Sequence, residues 1–541
     1  MRNILLLQLN RLGDLVQTVP LLRRMRREYP EARIILVALE GFSGILADCT
    51  YFDTLITIPL KDLESLAAVE KQEAFPNLPP FSSHPEFRGR YDLLVNLTND
   101  FGSAVICEKV AAVRKLGRIN TYEGELRLLG PWAKYLFSMV SHRLDNLFNL
   151  VDIQVGIAGL DPRPETASLQ VTEARRKEAE TLLASLGRRP GRRLIALQTG
   201  ASELQRAWSL ENFAALAQAL SAGGYADIAL MGDAKERERT ERLAEMIGMP
   251  VFNLAGTTSL ALLPAVLQAC DLLISNDTGT IHVAAAAGTA TLGLYFSTAY
   301  FSETAPYGCN HAVLQVEIPC APCLASSRCP VQLCREYLDP RAVEDAARWL
   351  LNDAGEAPRA FPNLSLYRSR FLANGSLVYL PVRAEHASEH FLSGLLGRLL
   401  WEDLLRGGGL ERDPFLEAQW RRVRGLAAWE KKVAGLTAAM EGVGVPFRQG
   451  LDLAVKLRSE FDSEAPVRER ILILHENLTR LAGSMAAVAK EAGLVGSFLQ
   501  FEMMDMDYAT YPALAGILEE KYRMLTDWAG RIDATLTRLA G

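Results

Sequence analysis

Residues 272–295, LLISNDTGTIHVAAAAGTATLGLY, read as strand, turn, helix, turn, strand. Residues 272–275 are a short apolar run of the kind that forms a buried parallel strand. Asn276, Asp277, Thr278 and Gly279 are turn and helix-cap chemistry. Residues 281–287 are small and apolar enough to pack closely on a sheet, Gly288 suits the stop, and 291–296 returns to strand. Free N–H groups at a helix start, beside a glycine and two hydroxyls, form a site for phosphate. An ordinary βαβ crossover explains the same residues without a ligand.

The chain opens in the same way. Residues 4–9 are an apolar strand, followed by Asn10-Arg11-Leu12-Gly13-Asp14-Leu15-Val16-Gln17-Thr18-Val19-Pro20. Asp14 near a helix start is either a group stabilised by the helix dipole or a general base at the C-terminal end of a strand, where open α/β sheets bind ligands. Further strands are expected at 34–37, 55–58 and 91–96, with a surface loop over 60–90, and residues 114–119 carry a Gly-containing turn towards another. A second series follows: a strand at 194–198, the small-residue turn Thr199-Gly200-Ala201-Ser202, then Arg206-Ala207-Trp208-Ser209 before a helix over 210–220. Strands at 227–231 and 251–254 and a helix over 260–269 lead back to the opening stretch. Strands alternating with helices, twice over, predict two Rossmann-like halves facing a cleft. No strand-following GxGxxG occurs, which counts against a dehydrogenase.

These residues carry a resemblance. Asp277-Thr278-Gly279, His282, the Ala-rich helix and Gly288 resemble the donor-site motif of the glycosyltransferase family 9 heptosyltransferases, GT-B enzymes that use ADP-heptose. Gly13-Asp14, Thr18 and Pro20 resemble the N-terminal signature of the same family. The likeness covers roughly residues 1–350 and implies roles. Asp14 would deprotonate the acceptor hydroxyl, Thr278 and Gly279 would contact the donor diphosphate, Asp277 would lie at the donor sugar, and His282 would support the loop. Thr199 and Gly200 would turn N–H groups to the donor. Arg206 stands where the family carries a phosphate-neutralising Lys, and Ser209 replaces its Pro; an Arg keeps the charge and alters its geometry. Glu236, in the charged run after the 227–231 strand, would contact the donor ribose. The resemblance implies no divalent ion for transfer and a lipopolysaccharide-core, other glycan or protein side-chain acceptor. A non-catalytic GT-B-like scaffold is the reading from another class, and Asp14 argues against it.

Composition sets further bounds. The 541 residues are 49% hydrophobic and 23% charged, with a net charge of −6, so no global basic field calls for nucleic acid. The apolar run near the N-terminus is too short for a signal segment, and no run approaches the roughly 18 residues of a bilayer span. The expectation is a cytoplasmic protein, with peripheral contact at the inner face of the inner membrane left open. Arg23, Arg24, Arg26 and Arg27 read either as a solvated helix face or as a basic patch for an anionic acceptor or membrane. Arg118, Arg127, Lys134 and Arg143 are further acceptor candidates.

Cys320, Cys323, Cys329 and Cys334 could wrap one structural zinc or iron; the alternative is four reduced thiols in a loop. Similar Cys-rich segments occur at this place in the family, and in autotransporter heptosyltransferases a comparable finger holds iron.

The expected domains are 1–165 on the acceptor side, 166–352 on the donor side with the Cys-rich segment 320–334, and a mainly helical accessory part over 360–541. A hairpin is expected around Asn374-Gly375. Leu474, Leu478, Leu481, Met485 and Val488, and again Leu518, Lys521, Leu525, Trp528 and Ile532, step at helical spacing and read as bundle faces for acceptor docking or self-association.

Overall fold

The computed structural model describes residues 1–67, 84–120, 126–139, 143–166, 168–188, 191–323, 329, 331–352, 355–383 and 388, with scattered helical positions between 391 and 532. The chain forms two units, one of residues 1–133 with 148–386, the other of 134–147 with 387–541.

The first unit is built on two sheets. In the first, β1 (Asn3–Gln8), β2 (Arg33–Leu39), β3 (Thr54–Ile58), β4 (Arg90–Asn96), β5 (Ala111–Asn120) and β6 (Leu126–Leu129) stand in the order β3-β2-β1-β4-β5-β6. All neighbours are parallel except the antiparallel β5–β6 edge. The second contains β7 (Arg193–Gln198), β8 (Ala226–Met231), β9 (Phe252–Asn253), β10 (Leu272–Asn276), β11 (Ala290–Tyr295) and β12 (His311–Val316), with the hairpin β13 (Leu364–Phe371) and β14 (Leu377–Pro381). Its order is β14-β13-β12-β11-β10-β7-β8-β9. Read from β9, the first six strands repeat the 3-2-1-4-5-6 order of the doubly wound fold. The order in which strands are added therefore switches from one side of the sheet to the other between β1 and β4 and again between β7 and β10, the places where open α/β sheets bind ligands.

Apolar continuity explains the sheets. Ile4, Leu5, Leu6 and Leu7 of β1 and Leu272, Leu273 and Ile274 of β10 are fully buried, as strands covered on both faces must be. Leu5, Leu7, Ile35, Val37 and Leu94 belong to one core, and Ile195, Leu197, Ile228, Leu230, Leu272, Ile274 and Trp208 to another.

Two features depart from the sequence expectations, and a third decides between two alternatives. Within the region read as a surface loop, Leu60–Ala67 is a helix that starts after Pro59 and buries Leu63; residues 68–83 lie outside the described residues. The hairpin around Gly375 pairs antiparallel with β12 and so extends the second sheet. Gly375 has φ +86°, and a Cβ there would fall 2.6 Å from the Pro162 carbonyl, so the turn needs glycine. The four arginines of the Val19–Glu28 helix form no free basic patch. Arg23 pairs with Glu165 at 2.9 Å, Arg24 with Glu28 at 2.8 Å and Arg26 with Asp53 at 2.6 Å, and Arg27 also pairs with Glu165.

In the second unit every described position between 391 and 532 is helical. Tyr135 is buried, donates to Asn146 Oδ1 at 2.7 Å and meets the Trp401 ring edge-on at 4.9 Å. Arg398, fully buried, donates to the Leu147 carbonyl at 2.7 Å. The 474–488 stripe lies outside the described residues, as do Leu518, Lys521 and Trp528. Among the described residues no helix is long and apolar enough to cross a membrane.

Candidate functional site

The first strands of the two sheets deliver the site. β1 ends at Gln8, and the chain enters the Leu12–Gln17 helix with Asp14 in its first turn. Thr18 fixes that turn: its hydroxyl, fully buried, donates to the Asp14 carbonyl at 2.9 Å and accepts from Gln8 Nε2 at 3.1 Å. Pro20 sits in the first turn of the next helix, where its missing N–H costs no hydrogen bond. The Thr and Pro of the N-terminal signature thus have local structural work. Burial pushes the Asp14 carboxyl up to about 6; the Asp277 carboxylate adds to the rise, while the backbone at Arg11 and Asp14 holds it down.

β7 ends at Gln198 and delivers Thr199 and Gly200. Glu236 closes over this turn. Its carboxylate accepts the Asp233 N–H at 2.9 Å and lies 3.2 Å from Gln198 Nε2, and a Cβ on Gly200 would fall 1.4 Å from its Oε1. Glycine is required there by that contact. Gln198 Oε1 in turn accepts from the Thr280 hydroxyl at 3.3 Å.

β10 delivers the third turn. Arg206 pairs through Nη2 with the Asp277 carboxylate. Thr278 is the N-cap of the Gly279–Ala287 helix, yet its side chain makes no cap bond; its hydroxyl lies 3.1 Å from that of Ser275. The first N–H groups of that helix therefore lack a side-chain cap. His282 is buried, and burial lowers its imidazole to about 4 against the pull of Asp277, so the ring is neutral at pH 7.

The helices after β1 and β10 touch. A Cβ on Gly13 would lie 3.0 Å from His282 Cδ2, and a Cβ on Gly279 would lie 3.2 Å from Leu12 Cβ. The structure thus brings Asp14 together with Thr199, Gly200, Arg206, Glu236, Asp277, Thr278, Gly279 and His282. Three polar atoms here are buried without a hydrogen-bond partner among the described residues: Thr199 Oγ1, Arg206 Nε and His282 Nδ1. Such groups are costly unless a ligand or water satisfies them.

Ser209 caps the Leu210–Ser221 helix, accepting the Asn212 N–H at 3.1 Å, which gives the departure from Pro a local reason. Asn276 and Gln198, which tie the turns together, were not among the residues expected at the site; a carboxamide at a strand's C-terminal end is the signal that could have marked them.

The cysteines stand apart. Cys320, Cys323, Cys329 and Cys334 were expected to wrap a metal, but among the described residues no group of three or more His, Cys, Asp or Glu could hold one. Three of the sulfurs have other surroundings, although Cys334 still lies close enough to Cys329 and Cys320 to feel their charge. The Cys323 thiol donates to the Cys320 carbonyl at 3.0 Å, Cys329 Sγ accepts the Gln332 N–H at 3.2 Å, and Cys334 is buried in the second sheet's core.

Residues 86–332 match the family model for glycosyltransferase family 9 (heptosyltransferase). That match takes in the turns after β7 and β10 and begins beyond Asp14. The chain is 24% identical over 288 residues to lipopolysaccharide heptosyltransferase 3 of Escherichia coli, spanning 53% of this chain and 81% of that protein. It is 23% identical over 312 residues to lipopolysaccharide core heptosyltransferase OpsX of Haemophilus influenzae, spanning 57% and 82%. A glycosyl transferase family 9 structure from Veillonella parvula superposes with a TM-score of 0.50 at 20% identity, covering 65% of this chain and 98% of that one. The expected α/β fold of GT-B type is borne out.

Proposed function

Since the α/β part of the chain is a family 9 heptosyltransferase-like protein, and so a glycosyltransferase, we propose that it moves a heptose from ADP-heptose to a lipopolysaccharide-core or related envelope acceptor with inversion. The observation that carries the reading is the Arg206 guanidinium, held by Asp277 at the start of the Gly279–Ala287 helix, whose first N–H groups have no side-chain cap. A polar, anionic ligand fits that cation and those N–H groups.

In this mechanism the Asp14 carboxylate takes the proton of the acceptor hydroxyl as its oxygen attacks the anomeric carbon. The bond from that carbon to the phosphate oxygen breaks, and ADP leaves with the electron pair. Arg206 and the N–H groups of the Thr199-Gly200 and Thr278-Gly279 turns meet the charge that develops on the diphosphate. Arg206 can hold Asp277 through Nη2 and still direct the remaining N–H groups of its planar guanidinium at the diphosphate, a fixed geometry that a Lys ammonium lacks. Glu236, beside Gly200, is the group for the donor ribose. A lipid-borne acceptor would bring the protein to the inner face of the membrane. The Val19–Glu28 arginines, each paired with a carboxylate, are poorly suited to dock it there.

The test is nucleotide release from a panel of sugar nucleotides with heptose-deficient lipopolysaccharide as acceptor. ADP released from ADP-heptose alone is the expected result. Release from a different donor would discard the heptose, and release from none would discard the transfer.

A further inference from the structure

Resting on the reading of this site as a nucleotide-sugar donor site, we infer that Asn276 is the positioning residue that turns the 199–201 backbone toward the donor diphosphate. Asn276 is the last residue of β10 and is fully buried. Its Nδ2 donates to the carbonyls of Thr199 at 3.1 Å and Gly200 at 3.0 Å, and its Oδ1 accepts the Trp208 N–H at 3.1 Å. The partners fix the orientation of the amide, because two of them only accept and the third only donates.

The consequence lies in the backbone. In a trans peptide unit the N–H points opposite to the carbonyl. Two successive carbonyls drawn to one side chain therefore turn the N–H groups of Gly200 and Ala201 away from Asn276. Among the described residues no group accepts from either. Two adjacent N–H groups turned outward form a nest for an anion. The Trp208 contact holds the neighbouring segment, and Arg206, two residues earlier, reaches Asp277, the residue after Asn276. One carboxamide thus sets the backbone donors and stands beside the paired cation. A hydroxyl in its place is too short to reach both carbonyls.

The experiment compares ADP and AMP binding to the full-length wild type and Asn276→Ser by calorimetry, with thermal midpoints in parallel. The wild type should prefer ADP, and the variant should lose roughly tenfold or more in ADP affinity with much less change for AMP. A folded variant that keeps the full preference for ADP overturns the inference. If the variant does not fold, hydrogen exchange in the wild type decides. ADP should protect the amides of Gly200 and Ala201, and unchanged exchange at a saturating ADP concentration overturns the proposal. Failure of the wild type to bind ADP would instead sink the donor reading, and this inference with it.

Discussion

Asp14 is where chemistry and environment meet most closely. Its carboxyl, raised to about 6 by burial and by Asp277, is a base poised near neutrality. The base must be ionised to act, so kcat/KM should rise with pH through about 6 and level off above it. His282, lowered to about 4, stays neutral over that range and adds no second limb near neutrality. A pH–rate profile checks this, and a limb that persists unshifted in Asp14→Asn would assign it elsewhere. At this scale the sequence was informative where a residue type is chemically demanding. Gly13, Asp14 and Thr18 form a recognisable string, and Thr18 holds the Asp14 turn. Asn276 was read only as turn chemistry, because its three partners come from segments about seventy residues away.

Among the elements, the contact between the Leu12–Gln17 and Gly279–Ala287 helices stands out. Each helix offers a glycine to the other, and a methyl on Gly13 would press on the His282 ring at 3.0 Å. Gly13→Ala should lower kcat/KM by about tenfold, the loss expected when a reacting group is misplaced by a fraction of an ångström. Its thermal midpoint should stay close to that of the wild type. Activity equal to wild type would show that this contact does not position Asp14. Most strands were legible as apolar runs between turn residues. β12 was missed because its buried His311 and Gln315 break the apolar pattern; they are satisfied by Thr291 and by the backbone of Tyr295. The Leu60–Ala67 helix was hidden by the Pro-rich residues that follow it.

For the whole molecule, the GT-B architecture followed from alternation repeated twice, a pattern that survives local errors. The organisation of the last third did not, because long-range packing decides it. The hairpin belongs to the second sheet: Tyr367 stacks on Phe301 at 4.1 Å, and the Leu377 N–H donates to the fully buried Asp152 carboxylate at 2.8 Å. Ending the chain at residue 360 would strip that carboxylate of a donor and uncover the β12 edge, at a cost of about 1–3 kcal/mol for the lost donor alone. The 1–360 chain should therefore be recovered mainly as aggregate, while 1–386, which keeps the hairpin, should yield more soluble protein. Equal soluble yields would contradict this placing of the hairpin. Neither truncation retains the partners of Tyr135 and Leu147 in the second unit, so 1–386 should still melt below the full chain.

The central claim is transfer from ADP-heptose with Asp14 as the base. Its most direct test is ADP release from ADP-heptose in the presence of lipopolysaccharide acceptor, compared between wild type and Asp14→Asn, with ADP affinity measured for both. The account predicts that turnover in the variant falls by about a hundredfold or more while ADP affinity is retained. Turnover unchanged in Asp14→Asn would contradict it.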